Sequence, residues 1–200
     1  MLPTFFQLGF RHLTQAGALD HQLFLATIAL AYAPSRWRRW VGLATAFALA
    51  HTASVALVAA GAAAPAAHWV EPAIATSVVA LALLDAYFLW RDPLGVREPT
   101  AKRLGTLAVV IGFGLVHGLG FGGGFVAVAG RGLSAGELAG AVAAFTVGVE
   151  AAQLLLLAGM WVAAFAIFDL AQWRPLVLRR GLLLGVAAAG LWLLADVLAT

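Results

Sequence analysis

The feature that most constrains this chain is a series of uninterrupted apolar runs, each close to the length of a membrane-spanning helix. A bilayer core about 30 Å thick takes about 20 consecutive apolar residues to cross as an α-helix. Of the 200 residues, 63% are hydrophobic and only 10% are charged, whereas about 25% are charged in soluble domains. The sequence therefore predicts an all-α, polytopic membrane helix bundle forming one integral domain over residues 1–200. The six predicted spans cover about residues 18–33, 41–61, 70–90, 104–129, 138–168 and 181–198.

The segment before the first predicted span has a different character. Residues 1–16 include Gln7, Arg11, His12 and Gln15, which make the segment too polar for a spanning helix. The segment also lacks a basic region followed by an apolar stretch and a cleavage site, so we expect no ordinary signal peptide. We therefore count six helices, all of them spans.

The Lys and Arg residues are distributed unevenly between the loops. Ten of the twelve lie after the first, third and fifth predicted spans, and only Arg11 and Arg131 lie on the opposite side. Because cytoplasmic loops carry an excess of basic residues, both termini are predicted to lie on the non-cytoplasmic side. The same distribution argues against nucleic-acid binding despite the net charge of +3, because these residues form no basic patch with polar or aromatic neighbours.

Ionisable side chains inside the predicted spans are the main functional signal. Such a group costs at least a few kcal/mol in a bilayer, so it tends to face the bundle interior and to have a partner. With a rise of about 1.5 Å per residue, five spans place an imidazole or a carboxylate in the outer half of the same membrane slab. These groups are Asp20 and His21, His51, Glu71, His117 and Glu150, with Gln153 one turn below Glu150.

Several polar residues also have a purely structural interpretation. Glu71 can be an interfacial charge favoured by the dipole at a helix N-terminus, and His68 beside Trp69 is better explained as interfacial than as a ligand. Asp85, closer to the cytoplasm, can pair with an Arg of the inner loops or relay an ion towards the exit. His12 can belong to the site or to the polar N-terminal segment.

The available donor atoms favour a borderline divalent cation. Neutral imidazole combined with carboxylate suits Ni, Co, Zn, Fe or Cu(II), whereas Mg and Ca prefer oxygen ligands. The chain has no Cys, which excludes disulfides and thiolate metal sites. Its two Met provide few of the soft sulfur ligands that Cu(I) prefers. Asp20, which directly precedes His21, can also orient an imidazole, as carboxylates commonly do for metal-bound histidines.

The fourth predicted span is rich in glycine around His117. Gly118, Gly120 and Gly123 satisfy the pattern GxGxxG. A dinucleotide site of that pattern needs a preceding strand and a βαβ unit, which a membrane span does not provide. We expect these glycines to permit either close helix packing or an unwound segment beside His117.

Five segments carry these polar residues in order along the chain: LGFRHLTQAGALDHQLFL, FALAHTASVAL, VEPAIATSVVAL, FGLVHGLGF and FTVGVEAAQLLL. They cover most of residues 8–157 and resemble the HupE/UreJ family of hydrogenase and urease accessory membrane proteins. The resemblance implies a divalent-cation permease with nickel or cobalt as cargo. It implies a metal site formed by His12, Asp20, His21, His51, Glu71, His117 and Glu150, with Ser77 and Gln153 as flanking polar groups.

These observations together favour a carrier, not an enzyme, that binds the metal from the outer side of a bacterial inner membrane and moves it inward. The expected ligands are His21, His51 and His117, and Glu150 is either a further ligand or a compensating charge. Asp20 either orients an imidazole or lies at the mouth of the site, and Glu71 attracts the cation.

Two alternatives use the same side chains. One is an intramembrane metalloenzyme whose metal activates water. The other is a membrane subunit in which a pair such as His51 and His117 ligates haem. The expected partners are the lipid bilayer and the metal ion, and the apolar helix faces equally suit a homo-oligomer or a partner membrane subunit.

Overall fold

A computed structural model describes residues 1–63, 68–91, 100–130, 132–167 and 175–199. The regular elements in these ranges are helices, and the ranges contain no strand, so the all-α prediction is confirmed. The α-helices are α1 Leu2–Thr14, α2 Leu19–Ala31, α3 Trp37–Ala59, α4 Val70–Arg91, α5 Thr100–Ala129, α6 Ala135–Phe165 and α7 Pro175–Ala199, with a 3-10 turn at Pro34–Arg36.

Five of these helices, α3 to α7, are long and apolar enough to cross a membrane. The span predicted at residues 18–33 corresponds to α2, which has only 13 residues. At about 1.5 Å per residue α2 is roughly 20 Å long, short of the bilayer core of about 30 Å. The structure therefore supports five of the six predicted spans as long membrane helices and replaces the other with a shorter apolar helix.

The sidedness of the two termini stays a prediction from the distribution of basic residues. Three residues used for it, Arg97, Arg131 and Arg174, lie outside the described part of the chain.

The N-terminal segment is helical, so the count of six helices was wrong: the described ranges contain seven α-helices. Two of the polar residues that made the segment unsuitable for a span, Gln7 and Arg11, lie on the exposed side of α1. Phe5, Gly9 and Leu13 recur every four residues on its other side and are buried. A stripe at that spacing is the signature of an amphipathic helix that packs against a core.

Two glycines set the close packing of α1 against α6. A methyl group on Gly9 would collide with the carbonyl oxygen of Phe145, and one on Gly148 would collide with the carbonyl oxygen of Phe6. The backbones of the two helices are therefore in direct contact, as small residues permit in membrane bundles. This contact fixes the height of α1 in the bundle, and with it the position of the residues at its C-terminal end.

Glycines also set the packing of α5 against α3. Gly114 and Gly118 lie four residues apart on one face of α5, and a methyl group at either would collide with the carbonyl oxygen of Phe47 or His51 respectively. α5 is continuously helical, so the glycines beside His117 serve close packing and produce no unwound segment. The GxGxxG pattern lies wholly within this helix, whereas a dinucleotide site of that pattern lies at a turn from a strand into a helix.

Candidate metal centre

Four histidines from four helices meet at one end of the bundle. His12 comes from the last turn of α1, His21 from the first turn of α2, and His51 and His117 from within α3 and α5. All six pairs of ring centroids lie between 4.0 and 6.3 Å apart. His21, His51 and His117 are almost fully buried, and His12 is partly buried. The predicted convergence of imidazoles from separate helices is thus present in the structure.

Asp20 joins two of these imidazoles through its two carboxylate oxygens. Its Oδ1 accepts a hydrogen bond from the backbone N–H of His21 at 2.7 Å and lies 2.9 Å from Nδ1 of the same residue. Its Oδ2 lies 3.2 Å from Nε2 of His117. With an N–H of each ring donating to the carboxylate, Nε2 of His21 and Nδ1 of His117 are left as lone-pair donors. A carboxylate that orients a histidine in this way is the usual neighbour of a metal-bound imidazole.

Most of the imidazole nitrogens in this cluster have no hydrogen-bond partner. Five buried ring nitrogens are in this state: His12 Nε2, His21 Nε2, His51 Nδ1, His51 Nε2 and His117 Nδ1. Buried polar atoms are nearly always hydrogen-bonded in native proteins, so a group of exceptions needs an explanation. Imidazole nitrogens that lie close together without hydrogen-bond partners fit a cation site better than an apolar core.

The spacing of the donor atoms suits one transition-metal ion. One ligand atom each of His12, His21 and His117 can be chosen so that all three lie within 4.8 Å of one another. Three ligands bound at about 2.1 Å in a tetrahedral arrangement lie about 3.4 Å apart, so binding would shorten the longest of these separations by up to about 1.4 Å. Rotation of the side chains is enough for a movement of that size.

A cavity of about 360 Å³ leads to the cluster from the surface. His12, Asp20 and His117 form its polar wall together with Glu71, and Leu193 of α7 contributes to the apolar side. Glu71 is exposed in the first turn of α4. The cavity therefore connects two carboxylates with the imidazoles behind them, which gives a cation an electrostatically favourable approach.

His12 has cavities on both sides. A second cavity, of about 320 Å³, is lined by His12 together with Gln7, Arg11 and Gln15 of the N-terminal segment. The polar residues that made this segment unsuitable as a span thus surround one ligand candidate. The structure places His12 beside the other three histidines.

Glu150 lies apart from the histidines. Its Oε1 accepts a hydrogen bond from the hydroxyl of Thr45 at 2.6 Å, and Gln153 fits with its amide nitrogen donating to Oε2 at 3.1 Å. Thr45 precedes His51 by six residues on α3, which is about 9 Å along the helix axis. The structure thus separates Glu150 and Gln153 from the imidazole cluster and joins them to each other.

Two other residues singled out in the sequence also lie away from the cluster. His68 is exposed, as its interfacial interpretation implies. The Ser77 hydroxyl donates to the carbonyl of Ala73 at 2.7 Å, within its own helix. Neither side chain lines the cavity that leads to the histidines.

A layer of three phenylalanines closes the bundle beneath the histidines. Phe24, Phe47 and Phe113 are buried, with ring centroids 4.8 to 5.2 Å apart. Each lies one turn from a histidine on the same helix, and Phe113 approaches His117 with ring centroids 4.9 Å apart. This layer was not predicted from the sequence, although the spacing of three or four residues between each Phe and its histidine was a usable signal.

A buried ion pair lies beyond the phenylalanine layer. Asp85 of α4 is fully buried, and its Oδ1 lies 3.8 Å from Nζ of Lys102, which is itself 8% exposed. The Lys102 ammonium also lies 4.7 Å from the centroid of the Tyr32 ring, within cation–π range. Of the two roles predicted for Asp85, pairing with a basic residue is observed, but the partner is Lys102 in the first turn of α5 and not an Arg of an inner loop.

Residues 1–196 match the family model described as HupE / UreJ protein. The chain belongs to the HupE/UreJ family. No curated protein and no solved structure matches it.

The histidine cluster is built from three of the five segments that carry the resemblance to this family. The first HupE/UreJ segment supplies His12, Asp20 and His21, and the segments around His51 and His117 supply the remaining imidazoles. The third segment supplies only a carboxylate at the cavity, and the fifth contributes a polar group outside the cluster. Membership of this family links the chain to metal handling in a membrane, and three short segments carry the geometry that such a role requires.

Proposed function

We propose that this HupE/UreJ protein is a carrier that binds a divalent transition-metal cation at the histidine cluster and moves it across a bacterial inner membrane. The observation that carries the proposal is the convergence of five buried, unpartnered imidazole nitrogens from four helices. Neutral imidazoles beside carboxylates suit nickel and cobalt, and also zinc, iron and Cu(II). Nickel or cobalt is the favoured cargo because the chain belongs to this family.

The cargo would enter through the cavity that ends at the cluster. Glu71 and Asp20 attract a hydrated cation into this cavity, and the imidazoles then replace part of its hydration shell. Asp20 keeps the rings of His21 and His117 in the tautomers that present lone pairs to the ion. Entry thus combines electrostatic attraction at the mouth with nitrogen ligands deeper in the bundle.

Passage beyond the cluster would require the helices to move. The layer formed by Phe24, Phe47 and Phe113 has no polar group to replace a hydration shell, and apolar constrictions of this kind close conduction pathways. The Asp85–Lys102 ion pair closes the bundle a second time at the far end. Opening that end while the cavity closes would give alternating access around one site.

The membrane potential can drive this movement. No nucleotide-binding motif occurs in the sequence, and each charge that crosses gains about 2.3 kcal/mol per 100 mV. A divalent cation moving inward alone therefore gains roughly 4.6 kcal/mol per 100 mV. Exchange against protons is the other available source of energy.

The geometry argues against the haem alternative. A porphyrin bound by His51 and His117 would have to lie between α3 and α5. These helices are in direct backbone contact at Gly118, where even a methyl group would collide with the carbonyl oxygen of His51. Inserting a porphyrin there would separate the two helices along much of their length.

Metal uptake into sealed vesicles tests the proposal. We expect vesicles containing the wild-type protein to accumulate Ni²⁺ or Co²⁺ when an inside-negative potential is imposed. His117→Ala should abolish accumulation, because it removes one ligand and one partner of Asp20. His68→Ala is the matched control, since it removes an exposed histidine outside the cluster and should transport like the wild type.

The outcome also separates a carrier from the enzyme alternative. A carrier accumulates free metal inside the vesicles, and it accumulates more when the inside-negative potential is larger. An intramembrane metalloenzyme retains one bound ion per chain and gives no accumulation with either variant. Normal uptake by correctly folded His117→Ala protein would refute the site, whereas metal binding without uptake would refute transport alone.

A further inference from the structure

An apolar groove runs between α3 and α6 on the outer surface of the bundle. Its volume is about 480 Å³. Its walls include Trp37 and Trp40 from α3, and Leu154, Ala158 and Trp161 from α6. Trp37 and Trp161 are exposed, at 52% and 37% of their surface. The groove has the apolar lining and the accessible position that suit a hydrocarbon chain.

A strongly basic cavity adjoins this groove. It is formed by the consecutive residues 35–39, which include three arginines, and has a volume of about 420 Å³. Trp37 lines both the cavity and the groove, so the two lie side by side on this surface. Arg38 is exposed, and its guanidinium lies 5.5 Å from the centroid of the Trp37 ring. α3 begins here, so the positive end of its dipole adds to the charge of the arginines.

The junction between the cavity and the groove is held in place by a hydrogen bond. The indole N–H of Trp161 donates to the carbonyl oxygen of Pro34 at 3.0 Å, which joins α6 to the turn before α3. Indole rings with a polar edge and an apolar body sit at the headgroup level of bilayers. The arginines therefore lie at headgroup depth, and the groove beside them extends into the hydrocarbon.

We propose that this surface is a binding site for one anionic phospholipid. The phosphate group lies against Arg38 and the N-terminal end of α3, and one acyl chain occupies the groove. Guanidinium groups match phosphate geometry, and basic pockets between membrane helices select anionic headgroups. A zwitterionic lipid offers the same phosphate without net charge and fits the electrostatics less well. This site is independent of the metal cluster and of the transport proposal.

Native mass spectrometry of the protein released from nanodiscs tests the site. The discs contain phosphatidylglycerol and phosphatidylcholine with identical acyl chains in equal amounts. We expect one phosphatidylglycerol to remain bound to the wild-type protein. Arg38→Glu changes the local charge by two and should weaken its retention about thirtyfold, from about fivefold for each charge. Arg103→Glu makes the same charge change at an exposed position near the start of α5, where the Arg103 carbonyl oxygen accepts a hydrogen bond from Arg39 at 3.3 Å. Because Arg103 lines neither the cavity nor the groove, this variant should weaken retention clearly less than Arg38→Glu.

A second variant tests the groove separately from the charge. Ala158→Phe fills the groove without altering any ionisable group and should lower the retention of phosphatidylglycerol. If Ala158→Phe retains phosphatidylglycerol like the wild type, the acyl chain does not occupy the groove. Equal losses of retention in Arg38→Glu and Arg103→Glu would refute a specific headgroup site. A lipid-free wild-type dimer whose association Ala158→Phe abolishes would assign the groove to a second copy of the chain and overturn the proposal.

Discussion

Replacing Asp20 with Asn tests how the cluster prepares its nitrogen donors. The substitution preserves size and removes only charge and one acceptor. The amide oxygen can still accept the two hydrogen bonds that Oδ1 accepts from His21. The amide NH₂ then replaces Oδ2 opposite Nε2 of His117. Because two donors cannot pair, the His117 ring must move its proton to Nδ1, the nitrogen that is otherwise available to the metal.

The expected loss of affinity follows from this change of tautomer. Removing the hydrogen-bond partner of one metal-bound histidine lowers metal affinity by about 10- to 100-fold, which is about 1.4 to 2.8 kcal/mol. Asp20 contacts two imidazoles, and its charge also compensates that of the cation. We therefore expect Asp20→Asn to bind Ni²⁺ or Co²⁺ at the upper end of that range, about 30- to 100-fold more weakly than the wild type.

Isothermal titration calorimetry in detergent measures this affinity without requiring transport. Glu71→Gln is the matched control, because it neutralises a second carboxylate of the same cavity that is exposed in the first turn of α4. An exposed charge contributes little to equilibrium binding, so the control should change affinity by about fivefold or less. Wild-type affinity in Asp20→Asn, or equal losses in the two variants, would refute the orienting role of Asp20.

The remaining predictions concern the packing that holds the site. Gly118→Ala should destabilise the protein by about 1 to 3 kcal/mol, because α3 and α5 must separate to admit the methyl group. Gly112→Ala is the control on an open face of the same helix and should be neutral or stabilising by up to about 1 kcal/mol. Thermal melting compares the two variants. Lys102→Met should destabilise the protein by about 2 kcal/mol, less than is usual for a broken buried pair because Arg179 stays within electrostatic range of Asp85. Adding Asp85→Asn should restore most of that loss, and a double variant no more stable than Lys102→Met would contradict the pairing.

The long helices and the depth of the histidines could be predicted from the sequence, because both depend on position along the chain. Apolar runs fix where a helix can cross a bilayer, and the rise per residue then gives the depth of His51 and His117. Glu150 shows where this reasoning stops. The sequence predicts a depth close to theirs, but the height and rotation of α6 relative to α3 are set by packing. The structure pairs Glu150 with Thr45, about 9 Å along α3 from His51. The Glu150 carboxylate consequently contacts Thr45 and does not line the cavity that leads to the histidines.

The helix at the N-terminus was missed for a related reason. Hydropathy tests whether a segment can face lipid on all sides, and α1 fails that test because Arg11 and its polar neighbours are exposed. A helix that covers a groove with one face and meets polar surroundings with the other needs a test of periodicity instead. The contact of Gly9 with α6 could not be foreseen, since it requires knowing which two helices are neighbours.

The close seat of α1 on α6 has a practical consequence for work on this protein. A segment of such polarity at the start of a membrane protein invites trimming or replacement by an affinity tag. Here its thirteen residues include His12, and they line most of the second cavity beside that side chain. Shortening the beginning of the chain would thus remove one of the proposed metal ligands, and loss of activity after such trimming would report damage to the proposed site.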